Sequence, residues 1–217
     1  MTETVKRHYR SALRDEQARA TRQVVVIAAA RLFVERGYGA TTIDAIADEA
    51  GVSRKTVFTS VGGKALALKL AIDWAIVGDD EPVALMDRPR VRAQMVEPDP
   101  RLILSDFAHD VRGIGERIAP LVAVAAAAAG TDPEVRALVE DGRSQRLAGM
   151  RRLAGVLADR GALRPGLSVD EAADVLWLLH DPAVYHRLVL EQGWEAARYE
   201  QWLAHSLIRL LLVDDTP

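Results

Sequence analysis

Residues Thr41 to Phe58, TTIDAIADEAGVSRKTVF, spell two short helices joined by a tight turn, and no other stretch constrains the fold as much. Thr42 is placed to cap the first helix, and Ile43, Ile46, Ala47 and Ala50 recur at i, i+3, i+4 and i+7 to make one apolar stripe. Gly51 ends that helix, because glycine accepts the left-handed backbone that a sharp turn between steeply crossed helices requires. Val52 plugs the turn from below. Ser53 restarts a helix by accepting from the free amides of its first turn. Val57 then faces inward and leaves Arg54, Lys55, Thr56, Thr59 and Ser60 outside. The unit is a helix-turn-helix, and its outward residues carry donors suited to phosphates and base edges.

The flanking segments extend the pattern. Val25, Ala28, Ala29, Leu32 and Phe33 share one face of a preceding helix that Gly37 closes. Gly62-Gly63-Lys64 opens a following helix to about Val77, with Ala65, Leu68, Ala71, Ile72 and Ala75 turned inward. Bare amides at that helix start make a seat for phosphate, and Lys64 adds a charge. Residues 24 to 64, with Ala28-Ala29, Leu32-Phe33, Gly37-Tyr38, Thr41-Thr42-Ile43, Ile46-Ala47, Ala50-Gly51-Val52-Ser53 and Lys64, resemble the DNA-binding domain of the TetR (tetracycline-repressor) family. The match covers about a fifth of the chain. Carried onto this sequence, the resemblance points to Thr42, Ser53, Arg54, Lys55, Thr56, Thr59, Ser60 and Lys64 as the DNA-binding positions. One departure stands out: where the family closes its recognition helix with Tyr-x-His/Tyr-Phe, this chain has Phe58-Thr59-Ser60-Val61. The first aromatic keeps its packing role but loses a hydroxyl, and the second aromatic has become Ser60.

A net charge of -3 argues, taken alone, against a nucleic-acid partner, but the distribution reverses the inference. Residues 1 to 64 hold 11 Lys and Arg against 7 Asp and Glu, whereas the remainder holds 17 against 24. One end attracts phosphate and the other repels it. Cysteine is absent, which removes disulfides, thiolate metal sites and thiol nucleophiles and is compatible with a reducing compartment. The charged start lacks the apolar core of a signal peptide, and no apolar run reaches the roughly 18 residues of a membrane span. The expectation is a soluble, cytoplasmic protein with no membrane contact.

Beyond the helix-turn-helix the reading stays helical. Residues 1 to 20, with Lys6, Arg7, Arg10, Arg14 and Arg19, form a basic extension without an apolar stripe, either a disordered tail or an arm for an adjacent minor groove. The Pro-, Asp- and Arg-rich stretch from Gly78 to Asp99 reads as a loop or broken helix. Asp99-Pro100 starts a helix with Ile103, Phe107, Val111, Ile114 and Ile118 on one side, which Pro120 interrupts or kinks. The alanine-rich run to Ala129 marks close helix packing. Thr131-Asp132-Pro133 starts another helix to about Arg160, Ser168 and Glu171 form a capping box, Asp181-Pro182 opens a shorter helix, and the last runs from about Glu195 to Val213. The architecture is all-α: residues 21–78 as the DNA-binding unit with its linker helix, and residues 79–217 as an effector-binding and dimerisation unit. Val175 to Leu179 is apolar all round, and the final helix has one face of Tyr199, Trp202, Leu203, Leu207 and Leu210 and a second of Ile208, Leu211 and Leu212. One face serves the core and leaves the other for a partner. The resemblance implies that the partner is a second copy, paired through final helices in a four-helix bundle.

Chemistry of other kinds has no support. The five histidines make no i, i+4 pair and join no carboxylate cluster, and there is neither a nucleophile elbow nor a phosphate loop. The expectation is no catalysis, no metal and no cofactor. The resemblance implies a pocket for a small-molecule effector. Trp74, Phe107, Met150 and Trp177 are candidates for its apolar wall, with Met86, Met95 and Tyr185, and Asp110, His109 or Arg146 for its polar groups. It is placed between the linker helix and the helix of residues 100 to 118. The reading is therefore a homodimeric, repressor-type regulator released from a palindromic double-stranded operator by an effector. The alternative is a protein of the same fold that has lost specific DNA binding.

Overall fold

The computed structural model describes residues 2–81 and 83–213, with side chains from residue 14 onward. Helices account for nearly all of the regular structure among them: α1 (Thr2–Ala40), α2 (Ile43–Ala50), α3 (Arg54–Val61), α4 (Lys64–Val77), a 3-10 turn (Leu85–Asp87), α5 (Pro89–Val96), α6 (Pro100–Ala129), α7 (Pro133–Asp159), α8 (Val169–Leu179), α9 (Pro182–Tyr185) with a π-helical turn (His186–Glu191), and α10 (Ala196–Leu211). The basic extension is helical, which corrects the reading of a disordered tail. It continues α1, and Arg19 Nε reaches Asp80 beyond the end of α4 at 2.6 Å. Lys6, Arg7 and Arg10 have side chains outside the described residues.

Local chemistry sets the helix ends. At Gly37 the backbone of α1 leaves the helix, with φ 76°. The buried Thr41 hydroxyl closes the break by donating to the carbonyls of Gly37 at 2.8 Å and Leu32 at 3.1 Å. Thr42 caps α2 through Ala45 N, Gly51 takes φ 66°, and Ser53 caps α3 through Thr56 N. Asp132 caps α7 by accepting from the amides of Glu134 and Val135, and Ser168 with Glu171 completes the capping box of α8. In the Gly78 to Asp99 stretch, Arg88 forks onto both carboxylate oxygens of Asp79 at 2.7 Å, and Arg160, directly after α7, caps the end of α5 through the carbonyls of Met95 and Glu97.

Two apolar cores form, and α6 enters both. The N-terminal core joins Val25, Ala29, Leu32 and Phe33 of α1, Ile46 of α2, Val57 and Val61 of α3 and Leu68 and Ala71 of α4 to Leu121, Ala125 and Ala128 of α6 and Val135 of α7. The C-terminal core joins Ile103, Leu104, Phe107 and Val111 of α6 to Leu153 and Leu157 of α7, Leu176 of α8 and Tyr199, Leu203 and Leu207 of α10. Of the two expectations at Pro120, interruption or kink, the first is corrected: α6 runs through it to Ala129. Proline in a helix interior costs about 3 kcal/mol. Burial of Ile118, Ala119 and Leu121 around it offsets that cost, at roughly 1.5–3 kcal/mol for each large side chain. The alanine run packs as expected, with Ala125 and Ala128 buried.

Gly115 shows how tightly α6 is seated. A Cβ there would lie 2.7 Å from Cδ2 of the Tyr185 ring, whereas one at Gly113 would meet nothing nearer than 3.8 Å. Gly115→Ala should destabilise by about 1–3 kcal/mol through overpacking, and Gly113→Ala should gain up to about 1 kcal/mol of helix propensity. Melting temperatures of the two variants moving in the same direction would contradict this packing.

Candidate functional site

The recognition surface is built on α3, and its polar residues divide by what already occupies them. Ser53 and Thr42 use their oxygens as caps, Ser53 Oγ also lies 2.8 Å from Thr56 Oγ1, and the Thr59 hydroxyl donates back to the carbonyls of Lys55 and Thr56. Arg54 reaches across the turn to Asp44 of α2 at 2.6 Å and lies over the ring of Phe58 at 5.7 Å. Both members of that pair are more than half exposed, so it is worth at most about 1 kcal/mol and gives way readily to a phosphate. Lys55 stands exposed, and Ser60 is partly covered where its carbonyl accepts from Arg22 of α1 at 2.9 Å. Phe58 departs from the expected packing role: it is 43% exposed, while Val57 and Val61 fill the core. An aromatic face therefore lies beside Arg54 on the outer side of α3.

Lys64, expected to serve phosphate, has partners within the free chain. Its ammonium turns inward, donating to the Tyr38 carbonyl at 3.0 Å and sitting 4.1 Å from the centre of the Tyr38 ring. The Tyr38 hydroxyl in turn bonds Asp132, the cap of α7; burial first and this carboxylate second push the phenol above its ordinary range. Asp132 is held below the ordinary carboxylate range by the Val135 amide first, with help from the Tyr38 hydroxyl and the charge of Lys64. One end of α4 is thereby tied to α7. The other end is tied to α6, where Arg117 donates to the carbonyls of Ala75 and Ile76 at 2.6 and 3.1 Å. Neither tie was read from the sequence; both join residues distant along the chain, which periodicity does not see.

The expected effector residues fall into three places. Trp74 packs against the N-terminal core, and Asp110 pairs with Arg90 of α5 at 2.7 Å. Trp74 thus belongs to the N-terminal core and Phe107 to the C-terminal one. Phe107, Met150, Trp177 and Arg146 do come together within the C-terminal core. Arg146 lies 5.2 Å over the Trp177 ring and pairs with Asp181. Sequence reasoning missed His180 and Tyr199. His180 ends α8 with its ring 5.5 Å from Phe107, and Tyr199 is fully buried on α10 against Tyr185. Arg146 Nε, His180 Nδ1 and the Tyr199 hydroxyl are buried without a hydrogen-bond partner. Among the described residues no group of His, Asp and Glu is placed to hold a metal ion, and no helix is long and apolar enough to cross a membrane.

Burial first, and the charge of Arg146 second, push the His180 imidazole down to about 3. An unfolded histidine takes up a proton near pH 6.5, whereas the folded one resists until about 3. The stability tied to His180 is thus complete above pH 6.5 and is lost as pH falls toward 3. Urea midpoints measured between pH 7 and 4 should fall less steeply for His180→Gln than for the wild type. Equal slopes would place the imidazole in contact with water.

Residues 26–65 match the family model described as bacterial regulatory proteins, tetR family. No curated protein sequence matches the chain. Solved structures similar to it include NalD of Pseudomonas aeruginosa, the secondary repressor of the MexAB-OprM multidrug efflux pump, at 20% identity over 92% of this chain and 99% of that one, with a TM-score of 0.69. A putative transcriptional regulator of Saccharomonospora viridis in complex with choline is 20% identical over 89% and 98%, with a TM-score of 0.67. The complex of SmeT with triclosan is 18% identical over 90% and 93%, with a TM-score of 0.65. These likenesses show the fold, and the family model identifies the domain at its head. Residues 26–65 thus carry a DNA-binding domain of the tetR-family type, and the chain as a whole shares the fold of these solved structures.

Proposed function

We propose that the chain is a homodimeric repressor whose residues 21–78 bind a palindromic operator through α3 and whose residues 79–217 bind a small effector and pair the two copies. The observation that carries this reading is the double tie of α4: Lys64 and Tyr38 to Asp132 at one end, Arg117 at the other. A helix held at both ends transmits a shift of α6 and α7 to the spacing of the two α3 helices. The dimer must meet two half-sites about one helical turn apart, so an effector favouring a mis-spaced state draws it off DNA. NalD is named as a repressor, and the choline and triclosan complexes show that proteins of this fold hold small molecules.

On DNA, Lys55 and Arg54 serve base edges or the adjoining backbone, Phe58 offers an apolar face, and Thr42, Ser53, Thr56, Thr59 and Ser60 lie at the backbone. The bare amides at Gly63, which has no side-chain cap, remain a seat for phosphate. Lys64 can serve phosphate only by leaving Tyr38. Footprinting on the DNA flanking the gene, followed by titration at several salt concentrations, tests this assignment. Lys55→Ala should weaken binding and, if the lysine meets phosphate, reduce the salt slope by about one for each phosphate given up, while Arg54→Ala should relax the sequence preference. Equal affinity of the wild type for unrelated duplexes would return the chain to the alternative of a fold that has lost specific recognition.

The dimer face is supported by α8 and α10, which leave Leu178 60% and Leu210 48% exposed. Leu207, grouped by sequence with Leu210, lies in the C-terminal core with no exposure. Leu210→Asp combined with Leu178→Asp should give folded monomers, whereas Leu207→Asp should unfold the domain. Sedimentation of the wild type as a stable monomer at micromolar concentration would remove this interface.

A further inference from the structure

The C-terminal core holds hydrogen-bonding capacity that the protein itself leaves unused. Buried polar groups are nearly always paired, yet Arg146 Nε, His180 Nδ1 and the Tyr199 hydroxyl have no partner, and Tyr199 is completely enclosed. The groups gather where α8 meets α9: Arg146 pairs with Asp181, the cap of α9, His180 directly before it ends α8 with its ring 5.5 Å from Phe107, and Tyr185 of α9 meets Tyr199. Around them stand Met150, Trp177 over Arg146, and Tyr185 edge-on to Tyr199 at 5.0 Å. The helix next to this cluster widens to a π-helical turn directly after Tyr185. Such turns often accompany functional sites.

Charge decides what fits. The guanidinium is already matched by Asp181, and the neighbouring imidazole is uncharged, so an anion would gain little and would meet the Asp181 carboxylate. A cation would find no free carboxylate among these groups. What remains is the Arg146 Nε–H donor, the Tyr199 hydroxyl and the neutral His180 Nδ1, in a wall of aromatic and thioether surface. We infer that this cluster is the effector site and that it takes an uncharged, flat, largely apolar molecule whose few polar atoms pair with Arg146 Nε, His180 Nδ1 and the Tyr199 hydroxyl. The inference rests on the effector reading above and adds the class of ligand and the residues that select it. Entry requires side chains to part, which fits a ligand that stabilises a second arrangement of α6, α8 and α10.

A matched set of probes tests it on the full-length protein: naphthalene, 2-naphthol, 2-naphthoate and a naphthyl trimethylammonium, followed by calorimetry and thermal shift. 2-Naphthol should bind about tenfold more tightly than naphthalene, and both ions more weakly than 2-naphthol. Tyr199→Phe removes only the unpaired hydroxyl. It should raise the melting temperature of the free protein by about 2–4 °C while reducing the advantage of 2-naphthol over naphthalene severalfold. Arg146→Lys, which keeps the charge and removes Nε, should reduce that advantage in the same way. An unchanged ratio in Tyr199→Phe, tighter binding of either ion, or no binding of 2-naphthol overturns the site. Binding of 2-naphthol that depends on Tyr199 but leaves operator affinity unchanged would keep the site and overturn the effector reading instead.

Discussion

A single helix, α6, is a structural member of both apolar cores, and the remaining architecture depends on its continuity. Its first half packs Ile103, Leu104 and Phe107 against α7 and α10, and its second half packs Leu121, Ala125 and Ala128 against α1 and α4. Proline at position 120 falls between the two, where an isolated helix would break. Tertiary burial on either side keeps the segment helical, so that it serves both cores. Because close-packed side chains resist continuous deformation, a shift in one half of α6 is felt in the other. The small residues of the second half let α4 approach closely enough for Arg117 to reach its terminal carbonyls.

That arrangement makes the N-terminal unit less independent than its sequence suggests. Its core is completed by α6 and by Val135 of α7, so the helix-turn-helix does not close a core of its own. Thr41 repairs the break at Gly37 from within, while Tyr38, one residue beyond that break, spans to the cap of α7. A turn that looks local in sequence is thus the place where the two halves meet. Asp132 serves the α7 amides and the Tyr38 hydroxyl at once, so disturbing α7 at its first turn also disturbs the hold on Lys64.

The features legible in the sequence are those carried by neighbouring residues. Thr42, Gly51, Ser53, Asp132, Ser168 and Glu171 act within one helical turn, and their caps and left-handed turns were readable from identity and spacing. Helices α2, α3, α4, α7 and α8 begin and end close to where those signals place them. The passage of α6 through Pro120, the burial of Leu207 and the inward turn of Lys64 were not legible. Each is decided by partners 26 or more positions away, or by packing against several helices at once. Composition and period set which side of a helix is apolar. They do not say how much of that side a neighbour covers, and so Leu207 and Leu210 looked alike.

The same distinction governs the candidate sites. Residue type placed Arg54, Lys55 and Lys64 among DNA contacts, but the free protein holds Arg54 on Asp44 and Lys64 on Tyr38. Both restraints compete with phosphate. The first is an exposed ion pair that DNA can displace at little cost. The second is partly buried and linked through Tyr38 to α7, so drawing Lys64 outward loosens the junction between the two halves of the chain. If Lys64 does turn to phosphate, DNA binding and the hold on α7 become coupled, and by thermodynamic reciprocity a ligand that weakens DNA binding through this hold is itself bound more weakly, by the same factor, when DNA is bound. Lys64 then has two mutually exclusive partners, and the balance between them is a physical route from the effector site to the operator.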